Sequence, residues 1–276
     1  MTNNSVPTPF VREWGDGPIV LFIHGLGGSS RYWDSVANVA TGFRGVAVDL
    51  IGFGLSPKPG DFSYDVDDQI DAIHHVCPIP DVVVGHSIGA IVAAAYVRTH
   101  APSAPTLLIG APAYATAADA KSHLRELGWL AAATVEESRS ARLLCGIMCT
   151  FRPLAMRAAP LLRRDVPAAV AADSVRHTWD SYSQTIRRVL LQHRLEPDIA
   201  AVTSPTIALH GSADRVAPIG LIADLATRLP HVQLRRIDSG DHHVALSHPG
   251  RVADSVAELL DPLNPPLPQQ RPDKRD

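Results

Sequence analysis

The sequence predicts an α/β fold: a mostly parallel central sheet flanked by helices, interrupted by an inserted helical segment. Three observations predict it. Short β-branched runs alternate with helical patterns, and such alternation implies right-handed crossovers between parallel strands. The runs are continuously apolar, as strands covered on both faces must be. Each distinctive polar cluster follows the carboxyl end of one of these runs, where open parallel sheets carry their functional loops.

Ile19-Val20-Leu21-Phe22-Ile23 reads as a buried strand ending in His24-Gly25-Leu26-Gly27-Gly28, with a helical pattern at about 30–39. Val46-Ala47-Val48 leads into Asp49-Leu50-Ile51-Gly52-Phe53-Gly54-Leu55-Ser56, then a helix over 65–76. Val82 to Val84 lead into Gly85-His86-Ser87-Ile88-Gly89 and a helix over 88–100. Thr106 to Ile109 end in Gly110-Ala111-Pro112. Thr206 to Leu209 end in His210-Gly211-Ser212-Ala213-Asp214, with a helix over 217–229. Val232 to Ile237 end in Asp238-Ser239-Gly240-Asp241-His242, with a last helix over 250–260. No internal repeat is visible.

Between about 114 and 195 the strand rhythm stops and helical, Ala- and Arg-rich runs take over. So long a stretch is an inserted element, not a connection. The expected organisation is a core of 1–113 and 196–261, a helical cap of 114–195, and a disordered Pro-rich tail of 262–276. Residues 121–194 hold twelve basic and six acidic side chains, a net +6 within a chain of net −3. The plainer reading is solvated arginine faces; the other is a surface for anionic substrates or a membrane.

The bulk properties exclude several classes. A net charge of −3 gives no general attraction to nucleic acid. Three cysteines do not make a disulfide framework and fit a reducing compartment. Cys145 and Cys149 read as small buried hydrophobes. No run approaches the roughly 20 apolar residues that span a bilayer, so stable membrane insertion is not expected. Met1 to Pro7 lack the basic and apolar regions of a signal peptide, which makes cytoplasmic the expected location. A small-molecule substrate is the expected partner, no cofactor is implied, and monomer and homodimer remain open.

Gly85-His86-Ser87-Ile88-Gly89 sits between a strand and a helix, the context of a nucleophile elbow. The flanking residues must be tiny because the turn is tight, and the serine hydroxyl is then held at the strand tip. A hydroxyl needs a base to accept its proton and a third group to orient that base. The order of such groups here is Ser87, then an acid after a later strand, then a late histidine. Asp214 fits the acid better than Asp238 or Asp241, which share the histidine's loop. His242 and His243 both compete for the base. The Ile88 N–H, directly after the serine, is the first candidate donor to an oxyanion. His86 and the pair His74-His75 read as structural, and His242, His243, His248 and Asp241 lack metal-ligand spacing.

Taken together, His24-Gly25-Leu26-Gly27-Gly28, Asp49 to Ser56, the elbow at 85–89, Gly211-Ser212-Ala213-Asp214 and the late histidine resemble the α/β-hydrolase superfamily over about residues 10–260. The resemblance implies a catalytic set of Ser87, Asp214 and His242. His242 is preferred because Pro249 stands seven residues after it, as the family commonly has. Asp241 departs from the family's usual glycine. Leu26 N–H is implied as the second oxyanion donor, and the short segment 9–14 as a single antiparallel edge strand. His24 and Gly25, with Arg139, Arg142 and Arg188 of the cap, are candidates to bind substrate, although His24 itself reads as shaping its loop. The implied activity is hydrolysis of a carboxylic ester or lactone. The alternatives are C–C cleavage of a vinylogous diketone acid held by one of those cap arginines, and a non-catalytic ligand-binding member of the fold.

Overall fold

The computed structural model describes residues 6–261, so the stretch 262–276 read as a tail lies outside the described residues. Seven described strands form one sheet: β1 (Val11–Trp14), β2 (Ile19–Ile23), β3 (Arg44–Val48), β4 (Val82–His86), β5 (Thr106–Ile109), β6 (Thr206–Gly211) and β7 (Val232–Ile237). Their order is β1-β3-β2-β4-β5-β6-β7. β1 runs antiparallel to β3, and the remaining pairs are parallel. Every residue of β4, β5 and β6 is buried, which is why these strands carry no polar alternation.

The early helices are α1 (Asp34–Ala37), α2 (Val66–Val76) and α3 (Ile88–His100). Between β5 and β6 lie α4 (Ala117–Glu126), α5 (Trp129–Val135), α6 (Arg139–Thr150), α7 (Arg152–Leu162), α8 (Ala168–Asp173), α9 (Trp179–Thr185) and α10 (Leu195–Ala200). A π-helical turn, Ile186–Gln192, continues α9. After β6 come α11 (Ile219–Arg228), α12 (Val244–Ser247) and α13 (Pro249–Leu260). Ile70 and Ile73 of α2, Ile91 of α3 and Leu225 of α11 pack with Leu21 and Val83 on one face of the sheet. Val36 of α1 and Val252 and Val256 of α13 pack with Phe22 and Val84 on the other. Two apolar layers thus cover both faces.

Two segments differ from the sequence expectation. The helix expected over 30–39 begins as a 3-10 turn, Ser30–Trp33, because the Asp49 carboxylate accepts the Ser30 N–H and tightens the entry. The helical stretch after β5 runs on to Ala200, but α10 packs on α3 through buried Leu195 and Ile199. Arg98 on α3 and Asp198 on α10 pair at 2.7 Å. α8 and α9 are tied to the loops after β2 and β3. Ser29 Oγ donates to Asp173 Oδ2 at 2.8 Å, and Ser181 Oγ donates to the Gly52 carbonyl at 2.9 Å. Among the described residues no helix is long and apolar enough to cross a membrane.

Candidate active site

β4 passes into α3 through Ser87, whose backbone sits at φ 56° and ψ −124°. A non-glycine residue there costs about 1–3 kcal/mol and persists only where its surroundings hold it. The Ser87 N–H donates to the Ile109 carbonyl at 2.9 Å, and the Ala90 N–H donates back to the Ser87 carbonyl at 2.9 Å. The glycines explain themselves. A Cβ on Gly85 would collide with the Gly89 carbonyl, and one on Gly89 would lie 2.5 Å from the Ile23 and His24 carbonyl oxygens. A Cβ on Gly25 would come within 3.0 Å of Ser87 Cβ. The elbow is therefore packed directly beneath the loop after β2.

The loops after β6 and β7 are brought together by their backbones. The Ser212 N–H donates to the Ile237 carbonyl and the Ala213 N–H to the Gly240 carbonyl, both at 2.9 Å. A side chain on Gly211 would strike the Gly240 carbonyl, so only glycine permits this approach. The result places Asp214 against His242, whose Nδ1–H donates to Asp214 Oδ2 at 2.8 Å. Asp214 Oδ1 accepts the Val216 and Ala217 N–H groups, each at 2.8 Å. Burial by itself would raise the Asp214 carboxyl, but the hydrogen bonds from His210 and His242 outweigh it and hold the group below the usual carboxylate range. The carboxylate stays charged, so it keeps the His242 proton on Nδ1 and leaves a lone pair on Nε2. Such a ring can take a proton from a hydroxyl.

Ser87 and His242 line one cavity of about 250 Å³, without a direct hydrogen bond between them. Catalytic hydrogen bonds commonly tighten only when substrate arrives. Gly25, Leu26 and Ile88 also line the cavity. Among the described residues the Leu26 N–H has no hydrogen-bond partner, and the Ile88 N–H stands at a helix start, where no carbonyl within the helix reaches it. The far wall comes from the helical stretch between β5 and β6 and is mostly apolar: Leu124, Val166, Val170 and Leu190.

Several expected residues lie elsewhere. His24 is fully buried; its Nδ1–H donates to Gly25 O at 2.7 Å, and Nε2 accepts the Leu50 N–H at 3.0 Å. It braces two loops and is absent from the cavity wall. Arg139 and Arg142 are exposed on α6, and Arg188 lies 3.6 Å from Asp65; none of the three lines this cavity. Arg163 does line it, with Asp165 gripping its guanidinium at 2.7–3.2 Å. His243 also reaches the cavity but faces Arg163 and Asp165 rather than Asp214. Burial, then His242 and Arg163, pull its pKa down to about 4. Asp241 is exposed and accepts the His243 N–H at 2.9 Å, and Asp238 is solvent-facing beside Arg236.

Three contributors were not singled out from the sequence. His210 Nε2 lies 3.4 Å from Asp214 Oδ2 while donating to the Ala217 carbonyl at 2.6 Å. Tyr32 stacks on His86 at 4.4 Å, and His86 Nε2–H donates to the His242 carbonyl at 2.9 Å, which buttresses the histidine loop. Tyr114 closes one wall through its hydroxyl on the Val216 carbonyl. Tyr32 and Tyr114 belong to no local pattern that a sequence displays, and His210, although it opens the loop that carries Asp214, shows its contact only after folding. Among the described residues no three His, Cys, Asp or Glu side chains converge as a metal-ligating set.

Comparison with known proteins agrees with this architecture. The chain is 28% identical over 258 residues to a pimeloyl-[acyl-carrier protein] methyl ester esterase of Chromobacterium violaceum, covering 91% of this chain and 98% of that one. It is 26% identical over 268 residues to a probable lysophospholipase, BODYGUARD 4, of Arabidopsis thaliana, covering 88% of this chain. The chain spans 63% of that plant protein's length and 58% of BODYGUARD 5, a second plant relative. Among solved structures, an esterase from Rhodococcus sp. ECU1013 superposes with a TM-score of 0.70 at 21% identity, covering 92% of this chain and 94% of that one. A family model described as the alpha/beta hydrolase family matches residues 20–255. With that match over most of its length, on a sheet of this topology, the chain belongs to the alpha/beta hydrolase family.

Proposed function

We propose that the chain is a serine hydrolase that cleaves a small-molecule carboxylic ester or lactone through an acyl-enzyme on Ser87. The observation that carries the proposal is the 2.8 Å bond from His242 to a buried Asp214 at the wall of the cavity that Ser87 also lines. His242 Nε2 takes the Ser87 proton as Oγ attacks the carbonyl carbon. The Leu26 and Ile88 N–H groups receive the oxyanion, each donor worth about 3 kcal/mol where such groups have been removed. His242 then protonates the leaving alkoxide, and water repeats the cycle on the acyl-enzyme. No cofactor is required by these steps, and the helices of 114–195 serve as the cap that shapes the acyl and alcohol pockets, in a protein acting in the cytoplasm.

The names of the relatives, a methyl ester esterase and a probable lysophospholipase, support ester cleavage. C–C cleavage drew on Arg139, Arg142 or Arg188 holding a substrate carboxylate, and none of them lines the cavity. Arg163, which does, is already neutralised by Asp165. Ester hydrolysis is therefore the stronger reading.

The test combines a fluorophosphonate probe with a panel of p-nitrophenyl esters and lactones. Ser87 is expected to be labelled, and Ser87→Ala to lose both labelling and at least about 10³-fold in kcat. Wild-type protein that resists labelling, or an S87A variant that keeps its turnover, overturns the assignment.

A further inference from the structure

We infer that α6 and α7 form a docking face for an anionic lipid surface. Leu143, Ile147 and Phe151 follow one another at intervals of four and are 66%, 50% and 60% exposed. That spacing puts them on one side of α6 and its junction with α7, while Ala141 and Cys145 are buried on the other. Leu154 and Leu161, two turns apart on α7, are 65% and 69% exposed, and Leu162 is 83% exposed. Large aliphatic and aromatic side chains concentrated on two adjoining helices mark an interaction surface rather than scattered exposure.

The charges choose the partner. Residues 139–164 carry six arginines and no carboxylate. Arg152 turns inward to the His177 carbonyl and Arg163 is held by Asp165. Arg139, Arg142, Arg157 and Arg164 are exposed, and among the described residues none of these four pairs with a carboxylate. Apolar side chains interleaved with unpaired arginines suit the headgroup boundary of an anionic bilayer, where the aliphatic groups enter and the guanidinium groups meet phosphate. A second copy of the chain fits poorly, because a two-fold contact sets these arginines against each other. The face also adjoins the cavity: Arg163 and Val166, immediately after α7, line the same wall space as Ser87. Docking would hold the cavity beside the bilayer from which an amphiphile leaves. The inference does not depend on the chemistry proposed at Ser87.

Co-sedimentation of the full chain with phosphatidylcholine vesicles, with and without about one-third phosphatidylserine, tests it. Wild-type protein and Ser87→Ala are expected to partition equally onto the anionic vesicles, to ignore the neutral ones, and to be released by high salt. Each basic residue lost weakens binding about fivefold, so Arg157→Glu with Arg164→Glu should reduce it more than about 25-fold. Leu143→Gln with Ile147→Gln should reduce it at unchanged salt dependence, and circular dichroism checks that all variants fold. Equal binding to neutral and anionic vesicles, or none to either, overturns the inference. Binding to soluble polyglutamate without partition onto vesicles reassigns the face to an acidic protein partner and equally overturns it.

Discussion

Asp214 shows how much one residue can be asked to do. Its Oδ1 accepts two backbone N–H groups of its own loop while its Oδ2 orients His242. The two oxygens thus combine a loop cap with a partner for His242. Ser87 was legible in the sequence because its requirement is local: a strand, a tight turn and a helix start within a few residues. The rivalry of His242 and His243 was not local, since adjacent residues differ only in what each one faces after folding. His242 meets Asp214, whereas His243 meets Arg163 and Asp165. His242→Ala is therefore expected to lower kcat at least about 10³-fold, and His243→Ala to lower it far less. Steady-state kinetics on one activated ester compares them, and the reverse ranking would transfer the base to His243.

At the scale of elements, the crossing of α3 beneath the β2 loop governs where Ser87 stands. Ten residues of α3 are buried, five of them alanine or glycine, so the helix lies close against the sheet. Gly89 leaves no room for a methyl group beside the Ile23 and His24 carbonyls. Those carbonyls are backbone and cannot rotate away. Gly89→Ala should cost at least about 2 kcal/mol through overpacking and should lower kcat by displacing Ser87. A urea midpoint within about 0.5 kcal/mol of wild type would show that the helix can retreat freely. Strand positions were readable because continuous β-branched runs need cover on both faces. The inserted helices were readable as helices but not as surfaces: which arginines face solvent depends on how α6 and α7 pack, and Arg163 alone of that stretch ends at the cavity.

Across the whole molecule, burial has collected uncharged histidines. His24, His86, His177 and His243 each have a pKa lowered chiefly by burial, with His177 and His243 brought to about 4. In the unfolded chain they titrate near about 6.5. Between these values the unfolded state binds more protons than the folded one, so stability is fully present above about 6.5 and falls as pH drops towards about 4. Asp214, held below its unfolded value, adds a further loss at still lower pH. The urea midpoint should decrease steadily from about pH 7 to about pH 4.5; a flat profile would mean that the rings admit water or find carboxylate partners.

The sequence by itself determined the strand runs, the helical character of the stretch between β5 and β6 and the elbow at Ser87, because each depends on residues that are neighbours in the chain. Only the tertiary structure decided the partner of His242, the removal of His24, Arg139, Arg142 and Arg188 from the cavity wall, and the arrival there of Arg163, Tyr32 and Tyr114. Those contacts join loops separated by tens to more than a hundred residues. Their geometry is set by backbone approach, as where Gly211 meets Gly240, and by the direction each helix presents once packed.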